Sequence, residues 1–140
     1  MKLTKQQREQ LKQKYGGCCS YCGTPLGDKW HADHLEAVER HSIWIPGHGF
    51  KATGTCSWPE RDTLENLMPA CIKCNIHKHS LPLEAWRRIL ESLLSSLQRN
   101  YGTYAHALRF GLVEEKPRKI VFHFESYGKI QRKQLRIRHD

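Results

Sequence analysis

Cys19-Ser20-Tyr21-Cys22 and Cys71-Ile72-Lys73-Cys74 decide how this chain folds. Each pair leaves two residues between its thiols, the gap that lets both sulfurs reach one ion. Four such sulfurs make the closed tetrahedral shell of a structural zinc site. Residues 23 to 70 lie between the pairs, so the shell closes only if the chain brings both knuckles together, and metal binding offsets the cost of that closure. The separation exceeds that of a compact zinc ribbon, so a substantial structure is inserted between the knuckles. A shell of four thiolates has no vacancy for water, which makes this zinc structural and leaves any chemistry to the insert.

The composition fits a metal-stapled domain with a polyanionic partner. The chain has 140 residues, Lys+Arg 23 against Asp+Glu 14, and a formal charge of +9. One small domain with a modest core is expected at this length. A basic surface points first to nucleic acid, though charge alone says nothing of sequence preference or catalysis. Six cysteines also suit a secreted disulfide scaffold. However, Met1-Lys-Leu-Thr-Lys-Gln-Gln-Arg8 has no apolar signal core and no stretch is long and apolar enough to span a bilayer. The expectation is therefore a protein with no membrane partner, in a reducing cytoplasm (the host's, if the chain is phage-encoded), where paired cysteines read as metal ligands. Cys18 and Cys56 are left over. Cys18 could compete for the metal, but only Cys19 has the two-residue gap to Cys22.

Local patterns set the expected elements. Thr4 and Gln7 form a capping-box pair ahead of a polar helix over 5–15, which Gly16-Gly17 ends. Trp30 to Val38 reads as a strand or extended segment carrying Asp33-His34, residues 39–63 as a long irregular loop, and Leu64 to Ala70 as a short apolar return. Leu83, Trp86, Leu90, Leu93, Leu94 and Leu97 recur at helical steps after Pro82, which predicts one long helix and makes Trp86 a core residue rather than a base stacker. A shorter helix is expected over 103–110, closed by Gly111. Ile120, Phe122 and Phe124 alternate with Val121, His123 and Glu125 as in a strand. Tyr127-Gly128 then reads as a turn, and Gln134 to Arg138 as the partner strand of a C-terminal β-hairpin. Lys129, Arg132, Lys133, Arg136 and Arg138 make that hairpin a candidate phosphate-binding surface.

Cys19-x-x-Cys22, Asp33-His34 and Asn66-Leu-Met-Pro-Ala-Cys71-x-x-Cys74-Asn75 together resemble the HNH endonucleases of phage and bacteria in their four-cysteine zinc-knuckle form. The resemblance spans residues 15 to 80. It implies an α+β fold with a ββα-metal (His-Me finger) core over 1–80, and a helical and β-hairpin extension over 81–140 packed on it as a single domain. It also implies a DNA endonuclease in which His34 is the general base, Asn66 braces the loop between the strands, and Asp33 and Asn75 ligate a catalytic ion. Asn75 stands where many members carry histidine. An oxygen shell of Asp and Asn favours magnesium or manganese over softer ions. His79 is a further candidate ligand if residues 75–79 are helical, its rival reading being a solvent-facing or phosphate-contacting histidine. His31, His41 and His48 receive no role.

The alternatives are a non-catalytic zinc-knuckle DNA-binding module and an HNH-type ribonuclease. One active site cuts one strand, so duplex cleavage calls for a homodimer or sequential nicks. A phage or host protein is the other partner considered.

Overall fold

Short β-prone runs alternate with helical ones, and the result is an α+β chain in a computed structural model that describes residues 1–129. It divides into two compact units. One comprises Met1–Pro82 with the described chain from Phe122 onward, and the other is Leu83–Val121.

In the first unit, helix α1 (Lys5–Gln13) opens on the capping box. The Gln7 amide N–H donates to Thr4 Oγ1 at 3.2 Å and Gln7 Oε1 accepts from the Thr4 amide at 2.9 Å. Its buried residue, Leu11, packs with Trp30 and Leu67 in the core, flanked by Leu3, Leu26 and Ala32. Arg8 closes that core from outside, its guanidinium 4.1 Å from the Trp30 ring centroid.

Strand β1 (His31–His34) pairs antiparallel with a later strand, Leu67–Ala70, in the register His31↔Ala70 to His34↔Leu67. Pro69 sits in the middle of this pair without cost, because its carbonyl points outward and its missing N–H is not needed there. That carbonyl accepts the backbone N–H and the hydroxyl of Ser20 at 2.8 and 2.9 Å, which ties the first knuckle to the sheet.

Residues 39–63 are not the irregular loop their punctuation suggests. Strands β2 (Arg40–Ile45) and β3 (Gly49–Cys56) form an antiparallel hairpin, followed by a single 3-10 turn at Pro59–Arg61. Ile43, Trp44 and Ile45 facing Phe50 and Lys51 supply β-branched and aromatic cross-strand pairs. Pro46-Gly47-His48 is only the turn between them. Leu67–Ala70 is thus β4, and it runs directly into α2 (Ile72–Lys78), with Cys71 as the residue before its first turn.

The expected C-terminal strand is also corrected, since residues 123–129 are helical. Glu125 Oε2 accepts the Phe122 amide at 2.8 Å, half of a capping box, while the His123 and Phe124 amides donate to Tyr21 O and Ser20 O. Phe122 is therefore buried and Phe124 half-buried against the knuckle, their ring centroids 5.8 and 6.4 Å from that of Tyr21. Tyr127-Gly128 lies within this helical stretch and is not a turn. The proposed partner strand Gln134 to Arg138, with its basic residues, lies outside the described residues.

The second unit contains α3 (Leu83–Glu91), α4 (Leu93–Asn100) and α5 (Gly102–Arg109). The single long helix is broken at Ser92, whose amide is shared between Arg88 O and Ile89 O and whose hydroxyl donates to Ile89 O at 2.8 Å. A serine bonding back onto the preceding turn bends a helix. Trp86 is buried, as the apolar stripe requires. Among the described residues no helix is long and apolar enough to cross a membrane.

Candidate metal centre and active site

The four thiols of Cys19, Cys22, Cys71 and Cys74 lie within 4.8 Å of one another. Cys22 Sγ and Cys71 Sγ are 3.9 Å apart, close to the ~3.8 Å that four sulfurs at ~2.3 Å from one tetrahedral ion require. The first knuckle is a tight hairpin, with the Cys19 amide donating to Thr24 O and the Gly23 amide to Cys19 O. Gly23 adopts a left-handed φ of +75° to make that return. The second knuckle is a helix start, where the Cys74 amide donates to Cys71 Sγ. A hydrogen bond from Cys74 pulls the Cys19 thiol down to about 4, and the same bond pushes Cys74 up. Four sulfurs this close to one another could hold one metal ion such as zinc. Cys18 is outside it, its Sγ turned to Gly16 O.

A cavity of about 590 Å³ is lined by Asp33, His34, Glu39, Arg40, Asn75 and His79 among others. Asp33 and His34 are neighbours on β1 and would point to opposite faces in mid-strand. The strand ends at His34, and both residues line this cavity.

His34 Nε2 lies 2.8 Å from Asp62 Oδ1. A carboxylate can only accept, so Nε2 carries a proton and donates it to Asp62. The amino group of Met1 is Asp62's other partner, and these two hydrogen bonds, the Met1 one the stronger, hold its carboxyl below the usual range.

Asp33 is buried and anchored. Its Oδ2 accepts from the Tyr21 hydroxyl at 2.5 Å and from Lys78 Nζ at 3.0 Å. Burial, and then the Asp33 charge, push the Tyr21 phenol upward, so it stays protonated and donates. Lys78 is fully buried and also donates to His34 O at 2.8 Å. One ammonium thus fixes both members of the Asp-His pair. Asp33 Oδ1 has no hydrogen bond among the described residues.

Replacing Lys78 by Met should strand a buried carboxylate and cost about 3–5 kcal/mol of stability. Urea unfolding checks this. The double change of Lys78→Met with Asp33→Leu should recover much of the loss, and a Lys78→Met chain as stable as the parent would show that the pair is not buried in solution.

Asn66 braces the connection after β1. Its Oδ1 accepts the Glu36 amide at 2.9 Å, and its Nδ2 donates to Glu36 O and Arg61 O at 2.8 Å each. Asn75, on α2, lines the cavity, and its side chain makes no hydrogen bond among the described residues. His79 lines the cavity too but does not extend the helix face of Asn75. The helix ends at Lys78, and His79 turns out of it with φ 51° while its Nδ1 meets Ser80 Oγ at 2.8 Å. Among the described residues, the four cysteines form the one group of three or more Cys, His, Asp or Glu ligand atoms.

Tyr21, Asp62 and Lys78 are the site residues that sequence reasoning missed. Tyr21 and Lys78 read as ordinary knuckle and helix residues, and Asp62 lay in the presumed loop. No family model, curated protein or solved structure matches this chain.

Proposed function

We propose that this chain is a metal-dependent endonuclease of the HNH type, stapled by zinc at Cys19, Cys22, Cys71 and Cys74, that hydrolyses phosphodiester bonds in DNA. The observation that carries this reading is the His34–Asp62 pair at the edge of a cavity that Asp33 and Asn75 also line. Asp62 holds the His34 imidazole through Nε2, at a pocket whose lining also includes Asp33 and Asn75. The charge of +9 favours a polyanionic substrate.

In this mechanism His34 Nδ1 accepts a proton from water, whose oxygen attacks the scissile phosphorus in line. The bond from phosphorus to the 3′ oxygen breaks, and that oxygen takes a proton from solvent, leaving 5′-phosphate and 3′-hydroxyl ends. Asp62 holds the ring tautomer, Asn66 holds the backbone that follows β1, and Lys78 fixes Asp33. Asp33 Oδ1 and the Asn75 carbonyl oxygen are hard donors that suit magnesium or manganese, and such an ion would neutralise charge on the phosphate.

Plasmid DNA and structured RNA, each incubated with purified protein in magnesium or in chelator, test the reading. Magnesium-dependent cutting of DNA is expected. DNA bound but not cut would favour a binding module, and cutting of RNA alone a ribonuclease.

The role of Asn75 makes a separate prediction. Asn75→Leu should raise the magnesium concentration for half-maximal cleavage about tenfold or more, whereas Asn75→Asp, which keeps an oxygen in place, should remain close to the parent. A magnesium titration of each variant reads this directly. Normal cleavage by Asn75→Leu at low magnesium would move the ligand role elsewhere, first to His79.

A further inference from the structure

The hairpin of β2 and β3 has no core. Nearly all of its residues are exposed, with Ile43 54 %, Trp44 63 % and Phe50 76 % accessible. A two-stranded hairpin is marginal in water unless something is laid against it, and apolar side chains held out on such an arm mark a contact surface.

Two features say what that surface meets. Residues 40 to 57 contain no Asp or Glu, but hold Arg40, His41, His48 and Lys51, which suits an anion and discourages an acidic protein. Trp44 and Phe50 are cross-strand partners, packed edge to face with centroids 5.2 Å apart at 68°. That packing covers one ring face of the pair and leaves others open for stacking.

The two strands are also tied to each other by side chains. His41 Nδ1 and Nε2 hydrogen-bond Thr55 Oγ1 and Ser57 Oγ at 3.0 and 2.9 Å, and Thr53 Oγ1 donates to His41 O at 3.1 Å. Arg40, at its base, lines the cavity of Asp33 and His34, and Trp44 lies about 14 Å further along the strand.

We propose that this hairpin is a DNA-engaging arm whose Trp44–Phe50 pair stacks on unpaired bases, so that the protein prefers single-stranded or locally opened DNA beside the phosphate it acts on. This rests on the reading of the cavity as a DNA-directed site. Base–aromatic stacking tolerates any sequence, because every base has a π face, and phosphate contacts from Arg40 and Lys51 add the salt-dependent part.

The test compares binding of a single-stranded oligonucleotide, a duplex with a central bubble and a fully paired duplex, by fluorescence anisotropy without magnesium or manganese. The variant combines Trp44→Val with Phe50→Val, which keeps β propensity and an apolar cross-strand pair but removes the rings. It should lose about tenfold or more in affinity for single-stranded and bubble DNA. Affinity for paired duplex should change less than twofold, and the salt slope should stay fixed. Trp44→Phe alone should retain most of the binding.

An equal loss on all three DNAs, or no loss on any, would overturn the proposal. So would a parent chain that sediments as a dimer and a variant that sediments as a monomer, which would make a second copy the occupant. Binding is read without cleavage, so a chain that shows the expected preference but never cuts would retire the nuclease reading and leave this one standing. A chain that cuts yet ignores the loss of both rings would do the reverse.

Discussion

Cys71→Ser is expected to give protein that holds no metal and does not fold. Cys71 does two jobs at once, supplying a sulfur to the four-thiol group and accepting the Cys74 amide at the start of α2. Structural zinc sites contribute about 10–16 kcal/mol of binding energy that the unfolded chain lacks, while a domain of this size has only about 5–15 kcal/mol of net stability. Loss of one ligand therefore removes an amount comparable to the whole margin. The damage would spread to the candidate site, because the knuckle positions Tyr21 against Asp33 and the helix that carries Asn75 and Lys78. Metal analysis with far-ultraviolet circular dichroism checks this, and a folded, metal-free Cys71→Ser protein would sink the assignment. Cys18→Ser should keep both metal and fold, since Cys18 lies outside the group.

What could be read from sequence divides along physical lines. The metal group was legible because ligand spacing is a local geometric constraint, and the adjacent Cys18 and Cys19 were told apart by that gap alone. Helix α1 was legible because a capping box is also local. The hairpin was hidden by its punctuation, Pro46, Gly47, Gly49 and Gly54, although Ile43 to Ile45 carried the β signal. Its both-sides exposure also removed the alternation that marks a half-buried strand. The segment from Ile120 failed in the opposite sense. Its aromatic alternation is real, but Glu125 caps a helix there and two amides are taken by the knuckle, a tertiary contact that no local pattern reports.

At the site, Asp33, His34, Asn66 and Asn75 were singled out by the resemblance to the HNH pattern, and the fold brings Asp33, His34 and Asn75 to one cavity with Asn66 bracing the strand connection. The residues that hold them there were not legible. A lysine in the last turn of a helix ordinarily faces water, and nothing beside Lys78 in sequence says that it lies under two residues of β1. Asp62 is equally silent, because its meaning comes only from the imidazole opposite.

That imidazole is the object of the last prediction. His34→Ala should lower DNA cleavage about 10²–10⁴-fold, the usual contribution of a positioned general base, with DNA affinity and metal content within about twofold of the parent. On the proposed mechanism the base acts only as the water is deprotonated, so its removal should not weaken ground-state binding. Asp62→Asn separates positioning from chemistry. An asparagine amide can donate to Nε2, which would move the ring proton to Nδ1 and put the lone pair on the wrong side. The turnover number should then fall steeply while KM stays put, although the imidazole itself is still present. Asp62→Ala, which imposes neither tautomer, should fall less than Asp62→Asn. This ordering of the two variants is what a merely structural Asp62 would not produce. Cleavage at the parent rate by His34→Ala would remove His34 from the mechanism. An Asp62→Asn enzyme faster than Asp62→Ala would show that the tautomer is set by something other than Asp62.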